Sequence, residues 1–114
     1  MLELSSKVKE TPFKLDDIEL FVCEFTIGDT HRLVELQKAV SESNNSGIEL
    51  WNELTMTRIM CAVKDGNGDY FWKGTLDQFK SNNYPKNMIT TLAEEVDKLN
   101  PIKMDTLDTK KKSS

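Results

Sequence analysis

The spacing of apolar residues changes several times along this chain, and each change predicts an element. Residues 1 to 10, MLELSSKVKE, mix Ser, Lys and Glu with few apolar groups and show no period, the pattern of a flexible lead-in. From Thr11 the chain reads as two short strands. Phe13 and Leu15, then Ile18 to Phe25, are rich in aromatic and β-branched residues, which favour extended structure. Asp16-Asp17 between them supplies turn chemistry, so a β-hairpin is expected. Leu20, Phe21, Val22 and Cys23 are apolar in succession, which implies cover on both faces of the second strand.

Helical spacing begins at Thr26. A threonine three residues ahead of Asp29 can form a reciprocal cap, hydroxyl to backbone amide and carboxylate back to the threonine amide. Ile27, Leu33, Val34, Leu36, Ala39 and Val40 recur at threes and fours with Arg32, Glu35 and Lys38 opposite, so one stripe should face a core and the other side water. ESNNSG, residues 42 to 47, ends that helix as a polar loop expected to be mobile. From Ile48 a central helix runs to Val63 or Lys64. Ile48, Trp51, Leu54, Ile59, Met60, Ala62 and Val63 cover well over half of its circumference. Such breadth means either contact with several elements of its own domain or a strip that another chain covers. Met56 and Met60 fit both readings, as core filler or as thioethers adapting to a partner.

Asp65 to Asp69 then reverses the chain, with Gly66 or Gly68 in a left-handed conformation, and Tyr70, Phe71 and Trp72 return toward the central helix. Thr75 to Gln78 repeats the capping signal for a short helix through Phe79. Asn82-Asn83 breaks it. Pro85 is expected in the first turn of a last helix, whose stripe is Met88, Ile89, Leu92, Val96 and Leu99 before Asn100-Pro101 ends it. The fold class is therefore α+β, an N-terminal β-hairpin followed by a bundle of about four helices, with flexible termini. Residues 11–100 form a single domain, and 101–114 a flexible C-terminal tail.

Composition narrows the functional classes. A net charge of -4 over 114 residues repels a phosphate backbone, and Lys110 to Lys112 reads as a solvated tail, so nucleic acid is not expected as a partner. The sequence has no run of roughly 18 apolar residues, hence no membrane span is expected. The N-terminus lacks a basic and then apolar secretory pattern, which points to the cytoplasm. Cys23 and Cys61 sit in apolar runs, where reduced buried thiols are usual, and no disulfide is expected.

Asp65, Asn67 and Asp69 match the first, third and fifth ligand positions of a calcium loop, but Tyr70 stands where the sharp-turn glycine belongs and Leu76 where the bidentate glutamate belongs. A backbone turn is the better reading, and no metal or cofactor is expected. His31 is the sole histidine. Without a histidine near either cysteine, or a serine-nucleophile, zinc or phosphate-loop motif, no enzyme is expected.

From TPFKLDDIELFVCEFTIGDTHRL through VKDGNGDYFW to VDKLN, the order of elements resembles the tail assembly chaperones of long-tailed bacteriophages. The shared features are a strand pair leading into a threonine-capped helix (here Phe25 to Asp29), a long apolar helix, an Asp-x-x-Gly turn (Asp65 to Gly68) followed by an aromatic (Phe71), and two closing helices, the first beginning at Thr75 to Gln78. The resemblance spans about residues 11–100. It implies a non-catalytic protein of the host cytoplasm that binds the apolar tape-measure protein, with the tail tube protein a further partner, and is absent from the mature virion. It also implies a longer product made by programmed frameshifting, for which the Lys110 to Lys112 codons are a candidate site. Trp51, Leu54, Met56 and Met60 are the candidate partner-binding residues, since a chaperone for an apolar rod needs an apolar strip and weak repeated contacts; self-association is left open. The alternatives are a structural connector that stays in the particle and a calcium-dependent regulator.

Overall fold

The computed structural model of the chain describes residues 2–101; most of the proposed C-terminal tail, including Lys110 to Lys112, lies outside the described residues. Strand β1 (Glu10–Leu15) pairs antiparallel with β2 (Ile18–Cys23), with Thr11 opposite Val22 and Leu15 opposite Ile18. The expected hairpin is present and starts one residue before Thr11. Only Asp16-Asp17 separates the paired ends, and Asp16 makes the reversal at φ 56°, a left-handed conformation that aspartate tolerates better than branched side chains do. Along β1, Thr11, Phe13 and Leu15 turn inward while Pro12 and Lys14 face water. This is an outer strand, where a proline's missing donor costs least. In β2, Leu20, Val22 and Cys23 are buried and Phe21 is half-buried, the two-sided cover that the apolar run predicts.

Helix α1 (Ile27–Glu42) packs against α2 (Gly47–Ala62). The Thr26 cap forms as expected: the Asp29 amide donates to Thr26 Oγ1 at 3.2 Å and the Thr26 amide donates to Asp29 Oδ2 at 2.9 Å. The α1 stripe is narrower than its sequence pattern. Val40 is buried and Leu33 and Leu36 half-buried, but Ile27 and Val34 lie 79% and 53% exposed, because α1 has its main helical neighbour on one side only. Val63 and Lys64 correct a second expectation. They do not end the helix but extend as β3 (Val63–Lys64) and pair with Val22 and Phe21, giving a three-stranded antiparallel sheet of order β1-β2-β3. The free edge of β2 supplies the hydrogen-bonding partner that ends the helix there.

Helix α3 (Leu76–Ser81) carries the expected Thr75–Gln78 capping box. Helix α4 (Lys86–Leu99) follows, with Pro85 as its N-cap, one position outside the first turn where it was expected. The core lies between the sheet and the helices: Leu20, Val22, Ile59, Met60, Val63 and Val96 are each at most 1% exposed. The aromatic arm returns to the end of α2, where the Phe71 amide donates to the Val63 carbonyl at 3.2 Å. Trp72 is buried, stacks edge-on with Phe79 at 4.8 Å between ring centres, and donates its indole N–H to Tyr84 Oη at 3.1 Å, satisfying its polar end inside an apolar setting.

Asn100 does more than end α4. Its Oδ1 accepts the Phe25 amide at 2.7 Å, and its Nδ2 donates to the carbonyls of Cys23 at 3.3 Å and Val96 at 3.1 Å. The end of the last helix is thereby fastened to the end of the central strand. Asn100→Ala strands a half-buried amide and carbonyl, so it is expected to cost about 1–3 kcal/mol, read as a lower urea midpoint with an unchanged slope.

Candidate functional site

The apolar circumference of α2 is divided along its length. In its last turn Ile59, Met60, Cys61 and Ala62 are all buried, surrounded by the sheet and the other helices. On its first two turns one side stays open, leaving Ile48 78% and Trp51 67% exposed, while Leu50 is half-buried against the core and Glu53 is buried. The broad stripe is thus divided, its C-terminal end buried in the core and its N-terminal end leaving apolar side chains exposed. Between α2 and α4 this leaves an open groove of about 670 Å³, lined on one side by Trp51, Leu54 and Met56 and on the other by Ile89 and Ala93. Arg58 on its wall donates to Asp97 Oδ1 at 3.0 Å and to the Asn100 carbonyl at 3.2 Å, joining the two helices.

The structure therefore brings together three of the four candidate partner-binding residues. Trp51 is exposed, and Leu54 and Met56 are half-buried in the groove wall. Met60 is fully buried and belongs to the core, one turn beyond the open part. Residues the sequence did not single out, Ile89 and Ala93, form the facing wall; Ile89 had been read only as part of the α4 core stripe. A second, smaller hollow of about 440 Å³ lies on the other side of α4, against Phe13 and Leu15 of β1.

The Asp65–Asp69 segment is a hydrogen-bonded turn. Asp65 Oδ1 accepts the amides of Asn67 at 2.8 Å and Asp69 at 3.1 Å, the Asp65 carbonyl accepts the Gly68 amide, and Gly68 has φ +83°. The Asp65 carboxylate thus organises the loop's own backbone. Among the described residues no group of three or more His, Cys, Asp or Glu side chains is arranged to hold a metal ion.

Beside this turn lies a polar cluster that the sequence reading missed. Asp29, only 2% exposed, accepts from Lys64 Nζ at 2.8 Å and Tyr70 Oη at 2.5 Å in addition to its capping bond. Burial alone would raise its carboxyl, but the hydrogen bonds from Lys64, Thr26 and Tyr70 outweigh that and hold it below the usual carboxylate range. Burial, and then the neighbouring carboxylate, push the Tyr70 phenol up. Arg32 lies 4.2 Å above the Tyr70 ring and donates to the carbonyls of Met60 and Trp72. It was expected on the solvated side of α1; instead it pins α1 to the end of α2 and to the returning aromatic arm. Glu53, also buried, accepts from Asn45 and from Lys80, which lower its carboxyl and tether the loop read as mobile. Both cysteines are free and buried, and burial pushes the Cys61 thiol up to about 11.

Taken together, the described residues form a small α+β architecture whose three-stranded sheet carries four helices and an exposed interhelical groove. Its fold is similar to that of the bacteriophage HK97 tail assembly chaperone, with a TM-score of 0.50 and 10% sequence identity over 81% of this chain and 85% of that one. No protein-family model matches the sequence, and no curated protein matches it significantly. No helix among the described residues is long and apolar enough to cross a membrane.

Proposed function

We propose that this chain is a tail assembly chaperone of a long-tailed bacteriophage: a non-catalytic protein of the host cytoplasm that binds the tape-measure protein, helps recruit tail tube subunits and is absent from the finished virion. The proposal extends to a longer, frameshifted form of the same chain. The observation that supports it best is the similarity of fold to the HK97 protein across most of both chains, reached alongside an order of sequence elements that resembles the same class. The α2–α4 groove supplies the kind of surface such a role requires. It is open and mainly apolar, with Arg58, Lys86, Glu94 and Asp97 also in its lining, a surface suited to weak repeated contacts with a rod-like partner.

Co-expression with the tape-measure protein tests the reading. The wild-type chain should co-purify with it, and Trp51→Glu should weaken capture about 30-fold, the loss of a hot-spot tryptophan worth about 2 kcal/mol, with an unchanged circular dichroism spectrum. Full capture by a folded Trp51→Glu variant would remove the groove from the proposal. Mass spectrometry of purified particles separates the connector alternative, because a structural connector would be found in them.

A further inference from the structure

We infer that Asn67 is a site of spontaneous deamidation, and that the hydrogen bonds of the Asp65–Asp69 turn set its rate. No other asparagine in the sequence precedes a glycine. With no side chain on Gly68, its main-chain nitrogen can approach the Asn67 carboxamide closely. Asn67 is exposed, and among the described residues its carboxamide has no hydrogen-bond partner that would shield the reacting carbon.

The chemistry is self-contained. The deprotonated Gly68 nitrogen bonds to Asn67 Cγ, the Cγ–Nδ2 bond breaks, and Nδ2 leaves as ammonia with a proton from solvent. The resulting cyclic imide takes up one water. Opening at the side-chain carbonyl gives aspartate, and opening at the main-chain carbonyl gives isoaspartate. No oxidant or reductant is involved.

The turn opposes the first step. The attacking nitrogen is occupied, since the Gly68 N–H donates to the Asp65 carbonyl at 3.1 Å, and the Asn67 amide is held by Asp65 Oδ1 at 2.8 Å. The Gly68 N–H must leave the Asp65 carbonyl before its nitrogen can attack Cγ, and the Asp65 carboxylate helps hold the turn in which that bond is made, so conversion proceeds from a locally opened turn. Asp65-Gly66 has a similar sequence, yet Asp65 Oδ1 is occupied by the main-chain amides of Asn67 and Asp69, which fix its carboxylate on them. Asn67 is the vulnerable position of the pair.

The isoaspartyl product has a consequence beyond the loop. It routes the main chain through Cβ and adds a methylene inside a turn closed by the Asp65 amide on the Asp69 carbonyl at 2.9 Å. Tyr70 comes next, bridged to Lys64 and donating its phenol to Asp29. Lengthening the turn displaces that phenol and loosens the junction of α1 with the sheet.

The test follows the purified chain at mildly alkaline pH by peptide mass spectrometry with isoaspartate detection. Residue 67 should gain the mass of one deamidation, at least several-fold more slowly in the folded chain than in urea-denatured chain. Asp65→Ala, with its fold checked by circular dichroism, should move the folded rate toward the denatured one. Sub-denaturing urea on the wild type gives the same test without a substitution and should raise the rate before global unfolding. The isoaspartyl fraction, separated by ion exchange, should unfold at lower urea. Equal rates in folded and denatured chain, or an unmodified residue 67 in folded chain after the denatured chain has fully converted, would overturn the inference.

Discussion

Asp29→Ala is expected to lower the unfolding free energy by about 3–5 kcal/mol, the cost of breaking a buried ion pair from one side. Three groups lose their acceptor at once: Lys64 Nζ, whose side chain is only 14% exposed, Tyr70 Oη and the Thr26 amide at the start of α1. Asp29→Ala combined with Lys64→Met should be less destabilised than the sum of the two single variants, because the second change removes the charge that the first leaves stranded. Urea denaturation of the four chains measures the coupling. An additive result would mean that Asp29 acts only as a helix cap, worth about 1 kcal/mol.

The same carboxylate makes stability depend on pH. Its folded pKa lies below its unfolded one, so under acid conditions the unfolded chain binds more protons. The stabilisation is fully present above the ordinary aspartate value of about 4 and is lost as pH falls through the lower folded value. Glu53 contributes with the same sign. Asp29→Ala should therefore flatten the acid limb of the stability curve. At the alkaline end the sign reverses: the buried Cys61 thiol favours the neutral form, a contribution complete below the ordinary thiol pKa and lost as pH rises toward about 11.

Met60→Lys is expected to abolish the folded state under conditions where Trp51→Glu leaves it intact. Met60 is fully buried among the central core residues. A lysine there must shed its charge or draw water inward, a change of about 4–5 kcal/mol or more against a total stability of about 5–15 kcal/mol for such a domain. Trp51, nine positions earlier on the same helix, is two-thirds exposed, and a charge at its place meets solvent. Circular dichroism and urea titration of the two variants check the division of α2 into a core half and a surface half. A folded Met60→Lys chain, stable within about 1 kcal/mol of wild type, would contradict that division.

Elements whose signals are local were legible in the sequence. The capping boxes at Thr26 and Thr75 each involve residues three apart, and the Asp16-Asp17 hairpin and the Gly68 reversal depend on backbone preferences of the residues themselves. The α4 stripe repeats through three turns and selects its own buried face. Asn100 was read as a helix stop, but its hydrogen bonds to Phe25 and Cys23 join positions 75 and 77 apart. Arg32 was misplaced for the same reason. Its acceptors, the carbonyls of Met60 and Trp72, are backbone groups that leave no trace in side-chain pattern.

The α2–α4 groove marks the boundary between the two kinds of information. Hydrophobic periodicity by itself predicted a helix from Ile48 to Val63 or Lys64, apolar on most sides, because burial free energy and the helical repeat act on neighbouring residues. Which of those sides stays open depended on where α4, the sheet and the Asp29–Tyr70 junction came to rest around it. Those contacts close loops of tens of residues, and only the assembled fold could set Trp51 in solvent and Met60 in the core.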